Sequence, residues 1–361
     1  MKKYSLVFLF VSLAAAAICQ SKEITIPGSQ KRVFTSDIVK GQEYVLQIGL
    51  PAGYDKSNKK YPVVYLMDSQ WDFPLVTALY GQQYFDGFIP ELIIVGITWG
   101  GSNPKPDSLR VRDYTPTRDI RTPQSGGADN FLAVLKKEVF PLIEANYRVD
   151  SSDRTLMGCS LGGLFTIYSL FTHPEMFNRF VAASPAFMWD NQALNKYEEQ
   201  YFAGRPTKPA KLFMCVGGVE TSAPAFEKLA SFIGGRNYSN LQIESRVLEN
   251  TGHSGTKGEG FARGLQFIFK RPSLKLSASI LEKYSGSYKL NGGMIVNMKV
   301  EHDSLTASAG NFTIKLLAAS ETDFYATSSF LKIHFLFDNK GNVSGFQLNQ
   351  YGSSESAEKV K

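Results

Sequence analysis

Apolar residues recur along this chain in two rhythms, and the change between them divides it. From about residue 33 to residue 271, short apolar runs at 61–67, 92–98, 154–158, 180–183 and 211–217 alternate with segments at 130–146 and 161–172 that suit helices. Runs apolar on both faces and separated by helices predict a mostly parallel sheet covered on both sides. The stretch around 43–50 reads instead as part of an antiparallel edge pair, and Asp150-Ser151-Ser152-Asp153 as a polar turn before the run at 154–158. Beyond Arg271-Pro272-Ser273 the rhythm shortens. Runs at 294–300, 312–317, 324–326, 333–337 and 343–348, separated by Asn-Gly, Lys-Gly and similar turns, predict a small all-β unit. The expected division is an α/β domain over 21–272 and a β-rich domain over 273–361.

Residues 1–20 stand outside both rhythms. Lys2-Lys3 precedes a continuous apolar run at 6–18, and Ala17 and Cys19 are small enough to flank a signal-peptidase site. Ile18 immediately before Cys19 does not suit lipid attachment, and the run is short for a bilayer span. The expectation is an exported protein, periplasmic or secreted, without stable membrane insertion. Of three cysteines, Cys159 and Cys215 then remain, each in an apolar run that predicts packed thiols, with a disulfide allowed but not required. The formal net charge of +6 falls by two when Lys2 and Lys3 are removed, and no dense Lys/Arg cluster marks a nucleic-acid surface.

Chemistry enters at Gly158-Cys159-Ser160-Leu161-Gly162-Gly163. This G-x-S-x-G motif falls between a predicted strand and a predicted helix, the context in which a serine is raised on a sharp turn as a nucleophile. Serine needs a base, and His253 lies in a loop after a strand-like run at 243–248 and before a helical stretch at 258–269. His173, at the end of the helix after Ser160, is the weaker candidate, suited to interaction with that helix's negative end. His302 and His334 read as solvated or packed. An acid between serine and histidine completes the order Ser, acid, His, and either Glu220 after the run at 211–217 or Asp190 after the Ser184–Trp189 turn fills it. Oxyanion donors would be the backbone N–H of Leu161 and that of Ser69 or Gln70.

Taken together, Tyr61-Pro62-Val63-Val64-Tyr65-Leu66-Met67-Asp68, Val95-Gly96-Ile97, Arg112-Asp113-Tyr114-Thr115-Pro116, the serine motif, Ser184-Pro185 with Trp189, Gly217-Gly218-Val219-Glu220 and Gly252-His253 resemble the putative-esterase family of α/β-hydrolases. That group includes esterase-D-like, siderophore and feruloyl esterases. The resemblance covers about residues 35–270. It implies an α/β-hydrolase fold with a mostly parallel central sheet, and a serine esterase without cofactor or metal. Ser160 would be nucleophile, His253 base and Glu220 or a neighbouring carboxylate the acid. Met67-Asp68-Ser69 departs from the family's Leu-Asp-Gly, and Cys159 holds the variable position before the serine. The C-terminal part is similar to small β domains appended to some bacterial serine hydrolases.

Trp71, Tyr114 and Trp189 could wall a pocket for a small-molecule or carbohydrate-linked ester, with Arg112 or Arg110 meeting an acidic group. Arg112-Asp113 reads more readily as an internal ion pair that shapes the loop than as a substrate contact. A serine peptidase or acyltransferase would use the same triad, and a non-catalytic binding protein could use the same scaffold.

Overall fold

Strands β1 (Ser29–Thr35), β2 (Glu43–Gly49), β3 (Tyr61–Leu66), β4 (Ile93–Trp99), β5 (Val149–Cys159), β6 (Arg179–Ala183), β7 (Ala210–Gly217) and β8 (Leu241–Leu248) form one sheet in a computed structural model that describes residues 25–326, 331–350 and 353–360. The leader expected at 1–20 lies outside those residues. The strand order is β1-β2-β4-β3-β5-β6-β7-β8. β1 and β2 are antiparallel, β2 meets β4 antiparallel, and β3 to β8 run parallel. The inner parallel strands are apolar where helices cover both faces, so that all seven residues of β4 are buried, while the edge strand β8 is half polar and mostly unburied. One core gathers Tyr65, Phe131, Phe165 and Phe177; the other gathers Phe73, Met157, Phe213 and Phe261.

The chain leaves β3 in one direction along the sheet to make β4 and returns in the other to make β5. At such a reversal a crevice opens beyond the carboxyl ends of the strands, and the candidate residues converge there. The polar turn expected at 150–153 is instead part of β5. Tyr61 pairs with Val149 and Val63 with Arg154, so the four polar residues bulge between two points of pairing. Asp150 accepts bonds there from the Ser152 N–H at 2.9 Å and the Ser152 hydroxyl at 2.6 Å.

The all-β unit is a closed barrel. β9 (Gly286–Leu290), β10 (Ile295–Glu301), β11 (Ser304–Ala309), β12 (Phe312–Ala318), β13 (Asp323–Ala326), β14 (Leu331–Phe337), β15 (Val343–Gln350) and β16 (Ser353–Lys359) pair antiparallel in chain order, and β16 returns to β9. Closure leaves no edge to template another strand. His302 and Asp303, both at positive φ (48° and 56°), make the two-residue turn between β10 and β11. His334 stands on the outer wall, its Nδ1 2.7 Å from Asp323 Oδ1.

The barrel docks away from the crevice. The Leu274 N–H donates to Ala318 O at 2.8 Å, and the Arg271 guanidinium lies 5.3 Å from the Tyr325 ring while donating to Gly87 O at 3.1 Å. Gly87 follows the helix Ser69–Phe85, which begins at the carboxyl edge of the sheet and ends at the opposite one. The barrel therefore lies by the edge where the parallel strands begin.

Candidate active site

Ser160 sits between β5 and the helix Leu161–Thr172 at φ 59°, ψ −119°, a conformation that costs a non-glycine residue roughly 1–3 kcal/mol. Three backbone bonds hold it there. Its N–H donates to Ala183 O at 3.0 Å, and the N–H groups of Leu164 and Ala186 donate to its carbonyl at 2.9 Å each. The first motif glycine has a steric duty: a Cβ on Gly158 would lie 2.5 Å from the Gly162 carbonyl carbon. Strand and helix can pass this closely only without that side chain.

The next strands deliver the other groups. β7 ends at Gly217, and the turn beyond it carries Glu220; β8 leads into the loop of His253. The two segments touch at Gly217, where any Cβ would run into the Thr251 carbonyl. Glu220 Oε2 stands 2.7 Å from His253 Nδ1, and Oε1 accepts the Gly217 N–H at 2.8 Å and the Ser184 hydroxyl at 2.5 Å. Thr256 Oγ1, 3.0 Å from Ser184 Oγ, donates to His253 O at 2.7 Å. Ser184 has one proton to give, and the carboxylate at the shorter distance is the stronger acceptor. Burial alone would raise the Glu220 carboxyl, but the bonds from Ser184, His253 and Gly217 outweigh it and hold the group below the usual glutamate range. With Nδ1 fixed on Glu220, the half-exposed imidazole keeps Nε2 for proton exchange.

Asp190 does not reach this histidine's carboxylate partner position; its charge acts on Arg121 and Tyr197. His173 closes its helix, with Nδ1 3.5 Å from Glu175 Oε1. Cys159 and Cys215 are free and buried, and burial pushes both thiols up to about 12, so they are protonated packing groups near neutrality.

Leu161 begins the helix after Ser160, and Ser69 and Gln70 begin the helix Ser69–Phe85, so their N–H groups have no acceptor within their own helices. The second helix is entered through Asp68 at φ 54°, ψ 37°. Asp68 is fixed by Arg110, which donates to its two oxygens at 3.0 and 2.7 Å and reaches Cys159 O at 3.4 Å. Burial pushes the Asp68 carboxyl up, and Arg110 and Lys257 offset only part of that rise. Trp71, 48% exposed, has Arg110 and Lys257 at 5.7 and 5.9 Å from its ring, while Lys257 donates to Asp72 at 2.7 Å. Trp189 is half-buried, its indole N–H donating to Thr117 Oγ1 at 3.2 Å.

Two expected wall residues are placed elsewhere. Tyr114 is fully buried among Trp99, Phe131 and Phe165, and its hydroxyl accepts the Asp68 N–H at 3.2 Å, which makes it a support beneath the loop. Arg112 turns to Asp113 at 2.7 and 2.9 Å and to Gln42 at 3.0 Å. Asp113 is buried, also accepting from Tyr44 at 2.8 Å and Trp99 at 2.7 Å, and a desolvated carboxylate holds its cation firmly. Ser184, Thr256 and Lys257 were missed in the sequence. Ser184-Pro185 at the end of a strand run was the one available sign. Among the described residues no group of His, Cys, Asp and Glu could hold a metal, and no helix is long and apolar enough to cross a membrane.

The sequence matches the model of the family described as putative esterase over residues 37–262, and that of a domain of unknown function, DUF3471, over 270–359. The ferri-bacillibactin esterase BesA of Bacillus subtilis is 28% identical over 215 residues, 55% of this chain and 73% of its own length. The siderophore triacetylfusarinine C esterase of Aspergillus fumigatus is 29% identical over 174 residues, 46% of this chain and 59% of its own. The solved IroE-like serine hydrolase of Shewanella oneidensis superposes with a TM-score of 0.60 at 27% identity, covering 67% of this chain and 80% of that one. This chain therefore belongs to the putative-esterase family of α/β-hydrolases, with a C-terminal DUF3471 domain.

Proposed function

We propose that the protein is a serine carboxylic-ester hydrolase working through an acyl-enzyme, with Ser160 as nucleophile, His253 as base and Glu220 as the acid. The observation that carries this reading is the Glu220–His253 contact at 2.7 Å on the same sheet edge as the strained Ser160. Ser160 Oγ attacks the ester carbonyl as His253 Nε2 takes its proton, and Glu220 stabilises the imidazolium. Oxygen charge in the tetrahedral intermediate falls to the N–H of Leu161 and that of Ser69 or Gln70, at the positive ends of two helices. The intermediate collapses, the carbon–oxygen bond to the alcohol breaks, and His253 returns the proton to the departing oxygen. Water, deprotonated by His253, then releases the acid and restores Ser160.

Siderophore-type esters that carry an aromatic group are the substrate class we favour. Two relatives carry siderophore esterase names. The exposed Trp71 face also suits an aromatic acyl group. Arg110 and Lys257 beside it are balanced by Asp68 and Asp72, so recognition rests on the ring more than on net charge. The leader-like sequence at 1–20 supports a periplasmic or secreted setting.

The test is steady-state hydrolysis of catecholate-lactone, feruloyl, acetyl-sugar and short acyl esters, with peptides as controls. Wild type should cleave the catecholate-lactone and feruloyl esters and leave the peptides, and Ser160→Ala should lower kcat/KM by roughly 10⁴-fold or more with an unchanged circular-dichroism spectrum. Full activity in Ser160→Ala would remove the assignment.

A further inference from the structure

The barrel is filled unevenly along its axis. Towards the end that carries the His302-Asp303 turn, the rings of Tyr284, Phe324 and Phe335 pack with centroids 4.3 to 5.4 Å apart, and Tyr288 and Phe346 extend the cluster at 5.1 Å. These rings close that end. Towards the end where β9 passes to β10 and β11 to β12, the inward positions are aliphatic or small, among them Val296, Ala307, Ala309, Ile314, Ile333 and Leu348. They line a cavity of about 290 Å³, open at this end, with no charged residue among the described residues that line it. Met294 and Phe312 stand at its rim, 59% and 80% exposed.

An eight-stranded barrel is just wide enough for its side chains to fill it or to hold one small ligand. The alanines at 307 and 309 leave the second option open, because an unfilled apolar void forfeits the contacts an occupant restores. The volume is about twice the roughly 150 Å³ apolar cavity that takes benzene and sits at the bottom of the roughly 300–1,000 Å³ range of small-molecule sites. One slim apolar group fits; a bulky ligand does not. A buried carboxylate or phosphate would find no cation among the described lining residues, so a charged head belongs in water at the rim. A closed barrel offers no free edge to a protein strand.

We propose that this cavity binds a single apolar acyl chain, of a fatty acid or an acyl ester, inserted end-on past Met294 and Phe312 with its polar head outside. The site is separate from Ser160 and does not depend on the esterase reading.

The experiment titrates the full chain, with Ser160 first blocked by a fluorophosphonate, with parinaric acid, a slim polyene fatty acid whose own chain fluoresces in apolar surroundings. The expected result is a saturable rise in fluorescence that dodecanoate reverses. Ala309→Phe and, separately, Ala307→Leu should weaken it at least tenfold while each variant keeps its melting temperature and, unblocked, its turnover of a short soluble ester. No saturable signal in wild type, or equal binding in whichever filled variant remains folded, would overturn the proposal. Displacement by naphthalene as effective as by dodecanoate would replace the chain with a ring. Loss of signal on dimerisation, seen by sedimentation, would make the rim a contact between copies and also refute the acyl site.

Discussion

Strain is distributed differently in the two units of this protein. In the α/β unit, Asp68, Ser160, Ser184 and Asn250 take positive φ values of 54°, 59°, 38° and 52°, each directly beyond or one residue beyond the end of a parallel strand, while Asp190, Asn191, Gln192, Arg205 and Asn237 take them elsewhere in the connections. The four at strand ends adjoin the candidate site: Asp68 leads into the candidate oxyanion helix, Ser160 is the candidate nucleophile, Ser184 holds the candidate acid, and Asn250 opens the loop of His253. In the barrel the non-glycine residues with positive φ among those described are His302 and Asp303, which form a hairpin turn that needs such values and touch no candidate site. Irregular backbone at one edge signals chemistry when several strands contribute it together, and only a turn when one hairpin does.

The sharpest way to break the contrast is at Gly158. Gly158→Ala would press a methyl group against the Gly162 carbonyl and push the helix off Ser160, costing roughly 1–3 kcal/mol of stability and most of the ester hydrolysis. Denaturant unfolding and kinetics on the same sample check it. An alanine variant as stable and active as wild type would show that the elbow is not set by this contact.

Ser184→Ala should act more mildly and through Glu220. The native Glu220 carboxyl lies below its usual range because three hydrogen bonds outweigh burial, and removing one leaves burial less opposed. A depressed native value adds stability that is present above the unfolded value and lost as pH falls through the native one. In the variant the native value lies closer to the unfolded one, so this contribution is smaller and its loss is complete at a higher pH, which denaturant unfolding across the acid range reads. We expect kcat to fall about tenfold with little change in KM, and Ser184→Thr to recover part of the loss. An unchanged kcat together with a pH dependence of stability like that of wild type would make Ser184 a packing residue only.

The smallest effect belongs to the barrel. Replacing His302-Asp303 by Asn-Gly, the pair best suited to this turn, should raise thermal stability by about 0.5 kcal/mol and leave ester hydrolysis unchanged. A drop in activity would mean that the barrel's strained turn also serves the site.

Much of this was legible in the residue order, for identifiable reasons. A raised serine demands small neighbours at fixed positions, so Gly158, Ser160 and Gly162 announced themselves. Glu220 and His253 could be placed because each follows an apolar strand run that must end at the same sheet edge. Ser184 could not, because its role depends on a bond to Glu220, 36 residues away. Tyr114 as a wall residue, and Arg112 as a contact to an acidic group rather than the ion pair with Asp113, fail for want of one helix, Pro106–Tyr114. At helical spacing Arg110 and Tyr114 share a face and both meet Asp68, while Arg112 points to Asp113 and Gln42. Barrel closure was hidden because β16, Ser-Ser-Glu-Ser-Ala-Glu-Lys, buries a single residue, Ala357, and so carries almost no strand signal.

The central claim is that Ser160 is made nucleophilic by His253 held on Glu220. Labelling the wild type, Ser160→Ala and His253→Ala with a fluorophosphonate and mapping the adduct by mass spectrometry tests it directly. The account predicts one adduct, on Ser160, formed in wild type, absent in Ser160→Ala and slowed at least a hundredfold in His253→Ala. A well-folded wild type that takes no label, or one labelled on another residue, would contradict it.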